Sequence, residues 1–173
     1  MISRRSFILG LTAAAASYPF SGVFGSRTSE RTLNVYNVHT DEALEITYFS
    51  EGSYDTDALE KINYLMRCHY ANEVRPIDIR VLDLLCDIRE RLYSNKHIEI
   101  ISAYRSQEYN DVLRTRSRNV SRDSYHLQGQ AIDFTIRGES RETLARVAKS
   151  FFTGGVGKYR DFVHIDIGPV RYW

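Results

Sequence analysis

Cysteine is scarce, histidine is scarce, and net charge is nearly absent. The chain has two cysteines and five histidines, and 23 Lys and Arg stand against 22 Asp and Glu. Neither Cys68 nor Cys86 belongs to a CxxC or Cys/His pairing, so no zinc finger is encoded. An exported chain can pair two cysteines, but two half-buried free thiols are the expectation here. A formal net charge of +1 removes the bulk electrostatic case for nucleic acid as a partner. Internal repeats and low-complexity segments are also missing. What is present is the apolar and charged balance of an ordinary soluble protein, over 173 residues, enough for one domain with a real core.

The first 25 residues stand apart. Arg4 and Arg5 precede an apolar run from Phe7 to Ala16, and small residues follow. That run is short for a membrane span and has the order of a secretory signal. "SRRSFIL" is similar to a twin-arginine export signal; an ordinary secretory signal or a retained anchor are the other readings. The expectation is an exported protein of the periplasm or cell envelope, touching the membrane only through this segment. Residues 26–32 read as a polar linker, and the domain as 33–173.

"LNVYNV" and "LEITYF" alternate and flank "HTDEA", a hairpin pattern. A helix with Asp55 at its N-cap follows, with Leu59, Ile62, Leu65 and Met66 at helical spacing. A second helix is expected to open at Pro76, with its stripe running from Ile77 to Leu92. "HIEIISAY" reads as a strand, Ser106 caps a short helix, and "QAIDFTIR" is a strand. Ser140 caps an amphipathic helix, "TGGVGKYRD" reads as a glycine-rich turn, and "FVHIDIGPVRYW" as a closing strand pair or strand and tail. This order predicts an α+β fold, a mostly antiparallel sheet with helices packed on one face.

His39, His69 and His97 fall at a turn, a helix end and a strand start, ordinary surface positions. His126 and His164 keep different company. Alternation in "QAIDFTIR" puts Ile132, Phe134 and Ile136 on one face and Ala131, Asp133 and Thr135 on the other. Alternation in "FVHIDIG" likewise separates Val163, Ile165 and Ile167 from Phe162, His164 and Asp166. If the two strands are neighbours, Asp133 and His164 converge and His126 reaches in from the preceding loop. Two imidazoles and a carboxylate, with a fourth position left for water, describe a catalytic zinc site. Spacing alone leaves the alternative of two unrelated histidines and a salt-bridged aspartate.

"SYHLQGQAID" resembles the S-x-H-x-x-G-x-A-x-D motif of the zinc D-alanyl-D-alanine carboxypeptidase and murein endopeptidase superfamily. "FVHID" is similar to its second-histidine segment, and "SAYRS" to its S-G-Y-R-S segment, with Ala103 where glycine is usual. "YNVHTDEALEITY", "EVRPIDIRVLDLL", "GGVGKY" and "FVHIDIGPVRYW" resemble the YcbK-like branch, the murein endopeptidase K type. The likeness runs from about residue 33 to Trp173.

The resemblance implies a D-Ala-D-Ala carboxypeptidase/Hedgehog-like fold with zinc on the open face of the sheet, held by His126, Asp133 and His164. It implies a peptidoglycan hydrolase cutting stem-peptide or cross-link bonds. A catalytically inactive module holding wall peptides or metal in the same pocket is the alternative, and a different zinc amidohydrolase a third. For the general base, Asp161 lies three residues before His164, where the superfamily often places it. Asp166 is the rival, or else a partner that orients a histidine. Arg105 is implied to bind a substrate carboxylate or carbonyl, with Ser124 and Tyr125 lining the site. Gly129 is expected to allow a tight path into the strand. Arg114, Arg116, Arg118 and Arg122 read as a solvated helix end and loop, with attraction to an anionic wall as the second reading.

Overall fold

A computed structural model of the chain describes residues 30–173. The expected export signal and most of the linker lie outside the described residues. Two alternating segments open the domain: β1 (Arg31–Asn37) and β2 (Glu42–Ser50) form an antiparallel hairpin with Val35 opposite Leu44. A two-residue strand β3 (Ser53–Tyr54) follows, then α1 (Thr56–Leu65), whose N-cap Asp55 accepts from the Ala58 amide.

The second helix, α2 (Ile79–Arg91), starts later than Pro76 and is capped by Asp78. The reason lies in the backbone just before it. The Ile77 amide donates to Asn63 Oδ1 at 2.8 Å, and the Asp78 amide to the Gly129 carbonyl at 2.9 Å. Those tertiary bonds hold Ile77 and Asp78 out of the helix, and Asp78 supplies the side-chain acceptor the first turn requires.

The chain then returns as β4 (Ile98–Ser102) beside β1, in parallel. Next come α3 (Gln107–Arg116), capped by Ser106, and β5 (Ala131–Ile136), antiparallel to β4. After α4 (Arg141–Lys149), capped by Ser140, come β6 (Gly155–Lys158), β7 (Val163–Asp166) and β8 (Arg171–Tyr172). The stretch expected as a glycine-rich turn therefore contains a strand. The last two strands are not paired with each other, because β6 lies between them. The single sheet runs β3-β2-β1-β4-β5-β7-β6-β8, and only β1–β4 and β6–β8 are parallel.

Leu33, Val35, Ile98, Ile100, Ile132, Phe134, Ile136, Val163 and Ile165 pack against α1, α2 and α4 as one core. Phe134, fully buried at its centre, fixes β5 there; its truncation to alanine costs about 3–5 kcal/mol. The remaining helix, α3, buries only Asn110, and that side chain bonds Arg105 rather than the core. Cys68 and Cys86 are both buried free thiols. Burial pushes the Cys86 thiol up to about 11, so it is inert at neutral pH. Among the described residues no helix is long and apolar enough to cross a membrane.

Candidate metal centre

Cross-strand register brings the first two candidate ligands together. β5 and β7 pair so that Asp133 lies directly opposite His164, and both side chains leave the face away from Phe134 and Val163. His126 arrives from a single 3-10 turn, Tyr125–Gln128, that ends at Gly129. Gly129 sits at φ 67°, and a Cβ there would strike the Pro76 carbonyl, so only glycine closes this turn. The turn is pinned from the other side too: the Arg105 amide donates to the His126 carbonyl at 3.1 Å.

His126 Nε2, Asp133 Oδ1 and His164 Nδ1 form one buried cluster. His126 Nε2 lies 3.3 Å from each of the other two atoms, which are 2.7 Å apart. A tetrahedral zinc with bonds of about 2.0–2.1 Å needs ligand atoms about 3.3 Å from one another. Two of the three edges already have that length, and the third is a hydrogen bond that opens slightly when a cation replaces its proton.

Partners on the far side of each ring decide which nitrogens are presented. His126 Nδ1 donates to the Ala103 carbonyl at 2.7 Å, which leaves Nε2 bare. Ala103 is buried in the core and offers this contact through its backbone carbonyl. His164 Nε2 donates to Asp166 Oδ2 at 3.1 Å, which leaves Nδ1 facing Asp133. Such carboxylate and carbonyl partners orient metal-binding imidazoles. The donor set, its spacing and its tautomers therefore fit a divalent cation such as zinc.

Charge is balanced tightly around the cluster. Burial tends to lower the His164 pKa, yet the bonds to Asp133 and Asp166 outweigh it and bring it up to about 9. Burial lowers that of His126. Asp133 is buried and resists ionisation on that account, but the two imidazoles hold its carboxyl well below the usual range. All six residues of β5 are buried, so Asp133 does enter the protein interior; its charge is compensated rather than left in an open groove.

Around the cluster is a cavity of about 590 Å³, lined by Arg105, Ser124, Tyr125, Tyr159, Phe162, Arg171 and Trp173 among others. Arg105 is 7 % exposed. One guanidinium nitrogen bonds Asn110 Oδ1 at 3.2 Å, and the other bonds Ser102 Oγ at 3.3 Å and lies 3.5 Å from Asp133. A register shift in β4 between Ile100 and Ser102 turns Ser102 toward it. Its Nε is buried without a partner. Ser124 and Tyr125 line the cavity. Arg116, Arg118 and Arg122 are exposed, and the loop that carries the last two forms one wall.

The two candidate bases part company. Asp166 is fully buried, and five donors close on its carboxylate: the Gly155 and Gly168 amides, both terminal nitrogens of Arg171, and His164. Burial opposes its ionisation, but these donors hold it well below the usual carboxylate range. Asp161 is 71 % exposed, pairs with Arg160 at 3.0 Å, and is not among the cavity-lining residues, although its neighbour Phe162 is. Arg171, Tyr159 and Trp173 carried no role in the sequence analysis. Arg171 and Trp173 stand in "GPVRYW", which pairing of β8 with β6 brings to the site, and Tyr159 follows β6 directly.

His39, His69 and His97 stay outside the cluster. His39 stacks on His69, and His97 lies beside Glu99.

The family profile described as "Peptidoglycan L,D-endopeptidase MepK" matches residues 26–173. The chain is 37% identical over 174 residues to the Escherichia coli K12 protein of that name, covering 98% of this chain and 96% of the relative. It is 36% identical over 151 residues to the "Probable peptidoglycan L,D-endopeptidase MepK" of Haemophilus influenzae, covering 86% and 81%. With a profile matched over residues 26–173 and a relative 37% identical over 98% of this chain, the chain belongs to the M15 peptidase family, in its MepK branch.

Proposed function

We propose that the protein is an exported zinc peptidase that hydrolyses peptide bonds in the stem peptides or cross-links of peptidoglycan. The single observation carrying this reading is the cluster of His126 Nε2, Asp133 Oδ1 and His164 Nδ1, with tautomers fixed from behind and a cavity in front. Zinc bound there supplies a Lewis acid and lowers the pKa of a bound water to roughly 7. The names of the relatives point to peptidoglycan as the substrate.

The chain's own residues have separable tasks in this reading. Asp133 supplies the negative charge of the ligand set. Asp166 holds the Nε2 proton of His164 and so keeps Nδ1 available. Arg105 lines the cavity and presents its guanidinium to a substrate carboxylate or carbonyl. Ser124 and Tyr125 form the wall beside His126. Asp161 is our assignment for the proton acceptor. Its present pair with Arg160 is a solvent-exposed surface one, so little holds the carboxylate there. Export through the segment with Arg4 and Arg5 would bring the protein to its substrate, and the twin-arginine route is the finer part of that proposal.

Metal analysis of the purified protein, with mass spectrometry of muropeptides after digestion of sacculi, tests the reading. About one zinc per chain, lost in His126→Ala, and new peptide-cleaved muropeptides are expected. Zinc without new muropeptides would instead favour a binding module. Asp161→Asn is expected to retain zinc and lose turnover.

A further inference from the structure

Trp173 is the only tryptophan in the chain, and it is held in place from several directions. Its amide donates to the Val156 carbonyl at 3.2 Å, and its carbonyl accepts from the Lys158 amide at 2.9 Å. These bonds bracket Gly157, the register partner of His164 across β6–β7. A Cβ on Gly157 would come within 2.5 Å of the indole, so the absence of a side chain there is what seats the ring. The indole N–H donates to Tyr159 Oη at 3.0 Å, and Tyr159 stacks on Phe162 with ring centroids 4.6 Å apart. The Arg171 guanidinium lies 5.1 Å from the indole centroid and 5.2 Å from that of Tyr125. The indole centroid is 5.5 Å from that of His164, and the ring lines the cavity.

All of Trp173's polar groups in these contacts are satisfied, yet the residue is 47 % exposed. A ring fixed so firmly and left half bare beside the ligand cluster is a preorganised apolar surface. Resting on the peptidase reading above, we propose that Trp173, braced by Tyr159, is a substrate-binding wall. It packs against the aliphatic side chain of the residue flanking the scissile bond in a stem peptide. An aliphatic side chain has the apolarity to lie along an indole left half exposed to the cavity. Arg105, Trp173 and the metal ligands line one cavity, so a carboxylate-bearing peptide can meet the guanidinium and the apolar wall at once.

Because the tryptophan is single, its emission reports this wall alone. The zinc-loaded full chain is titrated with a soluble peptidoglycan stem tetrapeptide while Trp173 fluorescence is read. A saturable change is expected, and none with a peptide-free glycan oligosaccharide. In steady-state assays on soluble cross-linked muropeptides, Trp173→Ala is expected to raise KM about tenfold while kcat stays within about twofold. Zinc content holds. Trp173→Phe returns KM to within about threefold of the parent. The inference is overturned by flat emission at peptide concentrations that saturate turnover, by an unchanged KM in Trp173→Ala, or by a fall in kcat together with zinc content. It is also overturned by an equal response to the oligosaccharide. Failure of the underlying reading looks different: no muropeptide is cleaved, yet emission still responds to the peptide.

Discussion

Asp166→Asn is a nearly isosteric change whose cost follows from counting donors. In the native protein every group facing the Asp166 carboxylate donates. Oδ1 accepts from the Gly155 amide, the Gly168 amide and Arg171 Nη1, at 2.9, 2.8 and 3.2 Å. Oδ2 accepts from His164 Nε2 and Arg171 Nη2, at 3.1 and 2.6 Å. An asparagine must place its NH2 at one of these positions, and either choice sets donors against donors. At least two bonds are lost from a site with no solvent access. At about 1.5–3 kcal/mol for each bond to a charged group, the variant loses about 3 kcal/mol or more. For a domain of this size that is a fall in melting temperature of roughly 10 °C. His164 also loses the partner that fixes its tautomer, so zinc affinity is expected to fall about 10- to 100-fold. Scanning calorimetry and a chelator competition assay measure the two effects. Unchanged melting and unchanged zinc affinity would refute the view that Asp166 works by holding His164. A variant that keeps both but loses turnover would make Asp166 the proton-transfer group instead of Asp161.

Three other outcomes follow from the same geometry. Because His164 titrates at about 9 without metal, it carries a proton at pH 7 that zinc must displace from Nδ1; binding should release about one proton. Apparent affinity should then rise about tenfold per pH unit up to about pH 9, where the gain ends, and calorimetry in buffers of different ionisation enthalpy reads this directly. Gly129→Ala puts a Cβ at positive φ and against the Pro76 carbonyl; a loss of about 2 kcal/mol or more in urea unfolding is expected, with weaker zinc binding because His126 rides on that turn. Arg105→Lys keeps the charge but loses the fork that reaches Asn110 and Ser102; KM for carboxylate-bearing peptides should rise about tenfold or more with zinc content unchanged, as kinetics and metal analysis would show.

Much of this protein is local and therefore legible in the chain. The period-two pattern of "QAIDFTIR" and "FVHID" separates core side chains from candidate ligands without knowledge of any neighbour, because successive side chains in a strand point to opposite faces. Asp55, Ser106 and Ser140 cap their helices for an equally local reason, since a side-chain oxygen satisfies an amide in its own first turn. The ordered motifs carry the family for the same reason: each is a short stretch with its own chemistry.

What the sequence could not determine is what depends on partners distant along the chain. "GVGK" has little strand propensity and reads as a turn, but β7 and β8 flank it and supply its ladder bonds. Pro76 suits a first helical turn, but the Ile77 and Asp78 amides donate to Asn63 and Gly129 and delay the helix to Ile79. The choice between two aspartates near His164 has no local signal at all. Tertiary packing buries Asp166 beneath Arg171 and leaves Asp161 in solvent on Arg160. The composition of the His-Asp-His cluster was thus set by residue type and alternation. Its closure and its aromatic wall were set by register and strand order, which only hydrogen bonding between segments far apart in the chain can fix.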